Sequence, residues 1–242
     1  MFTRRILFLR LPVLAVACAV AANAQFGKIL ERLGIGTTGS DAKTASGLKE
    51  ALQIGTDHAV SLTGTTDGFF KNAAIKILLP EKLRTAEKAL RMAGLGPKLD
   101  EFELSMNRAA EKAAPAARSI FKDAVTQMTF QDVHAIFTGG NTAATDYFKS
   151  KTSAQLTAAF RPTVEATMDQ TGVVKQYKAL TGGLTGLTGL FGKGGQDFDI
   201  TNYVVGKSLD GLFHMLGEEE KKIRTDPAAQ ITPLLKEVFG KH

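Results

Sequence analysis

Cysteine is almost missing from this 242-residue chain: Cys18 is the only one, and it lies in the first apolar run. If that run is removed no thiol remains, which excludes disulfides, thiolate nucleophiles and cysteine zinc sites together. Tryptophan is absent and tyrosine occurs three times, so neither aromatic cages for cations nor stacking platforms for bases are indicated. Histidine is sparse too. His58, His134, His214 and His242 are scattered singly, whereas a zinc protease of the H-E-x-x-H type sets two on one helical turn. No G-x-S-x-G turn offers a serine nucleophile. The pair Gly192-Lys193 is followed by Gly194, and Leu187 stands where a phosphate loop needs glycine, so both hydroxyl and register fail. No run of alternating residues is long enough for a strand. The expectation is a protein with no catalytic constellation, no metal and no cofactor.

What is present begins with Arg4, Arg5 and Arg10, an apolar run from Leu11 to Ala22, and Ala22-Asn23-Ala24 before Gln25. That order is the one a cleaved signal peptide uses, with processing between Ala24 and Gln25. The run is shorter than the about 20 apolar residues that a permanent anchor needs, so no transmembrane segment is expected in the mature chain. Cys18 follows Leu14-Ala15-Val16-Ala17, which loosely resembles a lipobox; lipidation there is the alternative to its being an ordinary small residue of the apolar run. The net charge of +6 includes the three early arginines and falls to +3 without them. That remainder is too interspersed for the basic stripe of a nucleic-acid binder. Export to the periplasm or cell envelope, or secretion, is the expected destination.

Residues 25–39 read as a linker with a short amphipathic stretch, and 40–240 as one helical domain. Ala45, Leu48, Leu52, Gly55, Ala59 and Leu62 recur at three- and four-residue steps, predicting a helix capped by Ser40 and stopped at Gly64. Leu79-Pro80-Glu81 opens the next, ended by Gly94 and Gly96-Pro97. Leu99, Phe102, Met106, Ala109, Ala113, Ala116, Ile120 and Ala124 keep the same spacing, with Pro115 set to bend or split the segment. Thr129 and Asp132 form a capping box before a brief helix that stops at Gly139-Gly140. Asn141 is read as the cap of the helix carrying Leu156, Phe160, Val164 and Met168, with Pro162 as a second kink. Residues 182–198 are a glycine-rich connector. Asp199 caps a helix lined by Val205, Leu209, Leu212 and Leu216, and Glu218-Glu219-Glu220-Lys221-Lys222 follow as a solvated turn before a last helix from Asp226-Pro227. The fold class is all-α, a multi-helix bundle of about seven to nine helices without a significant sheet.

The stretch Tyr203–Gly240, YVVGKSLDGLFHMLGEEEKKIRTDPAAQITPLLKEVFG, resembles the C-terminal signature of the bacterial domain of unknown function 4197 family (DUF 4197). Ala89-Leu90-Arg91, Gly94-Leu95, Phe130-Gln131-Asp132 and Gly139-Gly140 resemble the rest of its pattern, over about residues 40–240. The resemblance implies an exported all-helical protein and brings no reaction, ligand or catalytic residue with it.

A few polar positions stand out against apolar surroundings. Arg161 lies between Phe160 and Pro162, Asp210 between Leu209 and Gly211, and His214 after Phe213. If Arg161 and Asp210 both face inward, a structural ion pair is the expectation. Leu184, Leu187, Leu190 and Phe191 in the glycine-rich connector either touch a membrane or partner or fold back onto the bundle. The function expected is a non-enzymatic binding or scaffolding domain of the envelope, with an envelope protein or lipid as partner. The alternatives are an enzyme whose site assembles only in three dimensions and a lipid-anchored membrane-associated protein.

Overall fold

The computed structural model describes residues 38–172, 175, 177–179, 198–226 and 230. The segment holding Cys18, Ala24 and Gln25, the linker up to residue 37, the connector at 182–197 and the helix expected after Asp226 lie outside the described residues. The chain falls into two compact units, Met1–Thr44 and Ala45–His242, and of the first the structure describes residues 38–44, which are helical.

Among the described residues there are seven α-helices and no strand. They are α1 (Thr38–Thr63), α2 (Glu81–Met92), α3 (Gly96–Ala113), α4 (Ala117–Thr126), α5 (Phe130–Thr138), α6 (Ala143–Gln170) and α7 (Ile200–Thr225), with a single 3-10 turn, Ala114–Ala116, between α3 and α4. Pro115 thus splits the long period of the sequence: its ring cannot extend the α-helical hydrogen bonding, so the chain tightens for one turn and resumes. Ala109, Ala110, Ala113, Ala114 and Ala117, in and around that turn, are fully buried, and α6 packs against the turn and the two helices it joins. Pro162 behaves otherwise. It lies inside α6, which runs on through it to Gln170. Both Pro162 and Ala158, whose carbonyl loses its partner, are exposed, so water can serve that oxygen and no break follows.

The ends of the helices follow from local chemistry. Gly94, at φ +80°, closes α2: its N–H bonds the carbonyl of Arg91 at 3.1 Å, and the Leu95 N–H bonds that of Leu90 at 2.9 Å. That is a Schellman motif, which needs the left-handed conformation glycine adopts without cost. The capping box on Thr129 forms as expected, the two residues exchanging bonds of 2.9 Å and 3.2 Å. Asp199 caps α7 by accepting from the Asn202 N–H at 3.0 Å. Two expected caps are displaced. The first helix begins at Thr38, so Ser40 lies within it, and Thr142 rather than Asn141 precedes α6.

α6 is the central element, packed most extensively on α7 and α3. Its own Phe148 and Phe160 are fully buried, as are Phe102 of α3 and Phe121 of α4, and Phe121 meets Phe148 edge-on with centroids 5.2 Å apart. The segment between α1 and α2 has no regular structure, yet it inserts Phe69 into the core. Gly211 on α7 makes the room, because a Cβ there would stand 2.5 Å from the Phe69 ring and 3.1 Å from the Ile75 Cβ. The glycine of Leu209-Asp210-Gly211-Leu212 is therefore a packing residue.

Candidate functional site

The three polar positions singled out in the sequence do not converge. Arg161 is half-exposed, donates to the Asn202 side chain and stands 3.5 Å from Glu165 on its own helix. Asp210 is exposed and pairs with Lys207 at 3.1 Å, and His214 is exposed as well. The inward Arg161–Asp210 pair is not formed. Each residue follows a buried neighbour, Phe160 or Leu209, and one helical step turns a side chain about 100° away from the core direction.

Among the described residues, the charged side chains that enter the core are three glutamates. Glu219 and Glu220 are each only 6% exposed, which corrects the solvated acidic turn expected for Glu218–Lys222: α7 continues through that sequence to Thr225. The spacing explains it, since Leu212, Leu216, Glu219, Glu220 and Ile223 lie on one inward stripe. Glu220 accepts from the N–H groups of Ala144 and Thr145 at 2.9 Å and 2.8 Å and from the Thr145 hydroxyl at 2.9 Å. It thereby supplies to the start of α6 the cap that Asn141 does not. Arg224 donates from Nε to the same carboxylate at 3.0 Å and from Nη2 to the Ile136 carbonyl of α5 at 2.7 Å. One ion pair on α7 thus satisfies the end of α5 and the beginning of α6.

Glu219 turns to α1 instead, meeting His58 Nδ1 at 2.6 Å and Lys222 at 2.7 Å. Burial pushes its carboxyl up, but the bonds from Lys222 and His58 outweigh that and hold it below the ordinary glutamate range. A carboxylate that orients an imidazole is the arrangement of a general base. Here Lys222 shares the carboxylate, and the contact ties α1 to α7. Glu111, 3% exposed on α3, accepts the N–H groups of Phe69 and Phe70, both at 3.1 Å, and takes Arg108 at 2.5 Å. Beside it the fully buried Asn107 pairs with both backbone groups of Ile77, at 2.8 Å and 2.9 Å. Together they give the irregular segment the hydrogen bonds that no strand partner provides.

The surface tells a different story on α2. Leu83, Ala86 and Leu90 face the core, which leaves Arg84, Lys88, Arg91 and Met92 on one outward arc by their helical spacing. These four, with Glu87, line a shallow open depression. Arg91 bonds Glu87 at 2.9 Å and Asp100 at 2.7 Å, and its guanidinium holds the Asp100 carboxyl below the usual aspartate range. Arg84 and Lys88 are exposed and have no carboxylate partner among the described residues. Met92 is 75% exposed at one end of the helix, and Leu78, 47% exposed, precedes its other end. The Leu78 carbonyl accepts the Tyr203 hydroxyl at 3.0 Å. Burial raises the Tyr203 phenol above its ordinary range, against the opposing pull of Lys207 and Arg84. The Arg84–Lys88–Met92 step of four is the signal of this arc in the sequence.

Among the described residues no three histidine, cysteine, aspartate or glutamate side chains lie close enough to share a metal ion, and no helix is long and apolar enough to cross a membrane. A family model described as "Protein of unknown function (DUF4197)" matches residues 38–240. No curated protein and no solved structure matches the chain.

Proposed function

The chain belongs to the DUF4197 family, and we propose that it is a non-enzymatic binding or scaffolding domain of the bacterial cell envelope that presents the outer face of α2 to its partner. The observation that carries this reading is the contrast in how its charges are employed. The buried glutamates are committed to backbone amides and cations within the bundle, while Arg84 and Lys88, on the same helix as the exposed Met92, have no carboxylate partner among the described residues. A rigid frame with free cations and apolar side chains on one face is suited to recognition. The export signal read from Arg4 to Ala24 supports the envelope as its compartment.

Site-specific photocrosslinking in cells tests it. A crosslinker at position 88 or 92 should capture a discrete adduct, and one at Lys122, exposed on α4, should not. Equal labelling at both places, or none at either, would count against α2 as the recognition face.

A further inference from the structure

We infer that the outer face of α2 docks on a membrane surface rich in anionic phospholipid headgroups, an assignment that rests on the binding-domain reading and names its partner. The helix is 12 residues long, hence about 18 Å, and lies with Leu83, Ala86 and Leu90 turned into the core. What it offers outward is Arg84 and Lys88, without carboxylate partners among the described residues, and, at the end of the same arc, Met92. Glu87 and Asp100, which would repel phosphate, are both bound by Arg91. Glu81 is the remaining acid on the arc, at the first turn, where the helix dipole opposes its charge. Tyr203 fastens the backbone at Leu78, so that a second apolar side chain is held exposed just before the helix begins.

The shape favours a lipid surface over an acidic peptide. The depression lined by Arg84, Glu87, Lys88, Arg91 and Met92 is open, and a peptide gains specificity from pockets with walls. A bilayer needs no walls. It supplies a plane of phosphate groups to the cations and an acyl boundary for shallow apolar pins such as Met92 and Leu78.

Flotation of the purified full chain with vesicles tests the assignment, comparing equimolar phosphatidylglycerol and phosphatidylcholine with phosphatidylcholine alone. Partitioning should favour the anionic vesicles and weaken with added salt. Each cation removed should cost about fivefold, so Arg84→Ser with Lys88→Ser should lower the anionic-vesicle partition coefficient about 25-fold. Met92→Ser should lower it about tenfold, and Lys122→Ser should leave it unchanged. Urea midpoints equal to that of the parent chain establish that the variants are folded, and Lys88→Glu provides a second, charge-reversed check. Equal partitioning on both vesicles overturns the proposal. So does a double variant that binds as the parent does, or displacement by inorganic phosphate at constant ionic strength, which marks a soluble-anion site. If photocrosslinks from position 88 persist while vesicle binding is absent, the binding-domain reading stands and only the lipid partner falls.

Discussion

The C-terminal half of α7 and the outer face of α2 carry the same kinds of side chain in similar density, and the bundle treats them in opposite ways. On α7, Glu219 and Glu220 point inward, and each finds partners on other elements: His58 of α1 for the first, the opening amides of α6 for the second. On α2, Arg84 and Lys88 point outward and find no carboxylate among the described residues. A charge taken out of water must be matched at once or it destabilises the fold, so the partners of Glu219 and Glu220 are part of the structure. A charge left in water has no such requirement and remains available. The difference separates frame from surface more sharply than apolar content does.

The contrast breaks most visibly at Glu220. Replacing it with alanine leaves Arg224 unpaired and two amides of α6 without acceptors, and the expected cost is about 3–5 kcal/mol. Urea denaturation of Glu220→Ala measures it, and Glu220→Gln should recover part of the loss because the amide oxygen can still accept one N–H. An effect below 1 kcal/mol, the value for an exposed ion pair, would show that Glu220 belongs with the surface after all.

Gly211 and Gly206 sharpen the same distinction without charge. They lie on one helix, five residues apart, but a Cβ at Gly211 would collide with Phe69 and Ile75, and one at Gly206 would meet none of the described residues within 4 Å. Gly211→Ala should therefore destabilise by about 1–3 kcal/mol, since the core must shift to admit it. Gly206→Ala, in an exposed helix interior, should stabilise by about 0.5–1 kcal/mol. Thermal midpoints moving in opposite directions would confirm that α7 has a packed and a free side; movement in the same direction would contradict it.

Much of this architecture is legible in the sequence, because helix periods and caps are local. The stripe from Leu99 to Ala124, the break at Pro115, the capping box at Thr129 and the cap at Asp199 all depend on residues within a turn or two of one another. What escapes is matching at a distance. Leu209, Leu212 and Leu216 extend by the same period onto Glu219, Glu220 and Ile223, yet a run of three glutamates followed by lysines reads as solvated until the amides of Ala144 and Thr145 are seen beside it. Asn107 and Glu111 are likewise polar residues on a helix until the irregular segment from Phe69 to Ile77 is laid against them. The α2 arc fails in the other direction. Its spacing is plain, but the availability of Arg84 and Lys88 depends on Arg91 being drawn toward Glu87 and Asp100, the latter nine residues on and beyond the Schellman turn.

Glu219 offers the smallest effect and a test of coupling between α1 and α7. Its carboxyl is depressed below the ordinary value of 4.5 in the folded chain, so the unfolded chain binds more protons as pH drops beneath that value. The stability it contributes is complete above pH 4.5 and is lost as pH falls through the lower, folded value. His58→Ala removes one of the two bonds responsible, and because His58 is half-exposed the loss at neutral pH should be only about 0.5–1 kcal/mol. In strong acid Glu219 is protonated in both proteins, and the parent loses what the variant already lacks. The gap between their urea midpoints should therefore close as pH falls well below 4.5. A gap of constant size would mean that His58 acts through packing alone and that the carboxylate of Glu219 owes its state to Lys222.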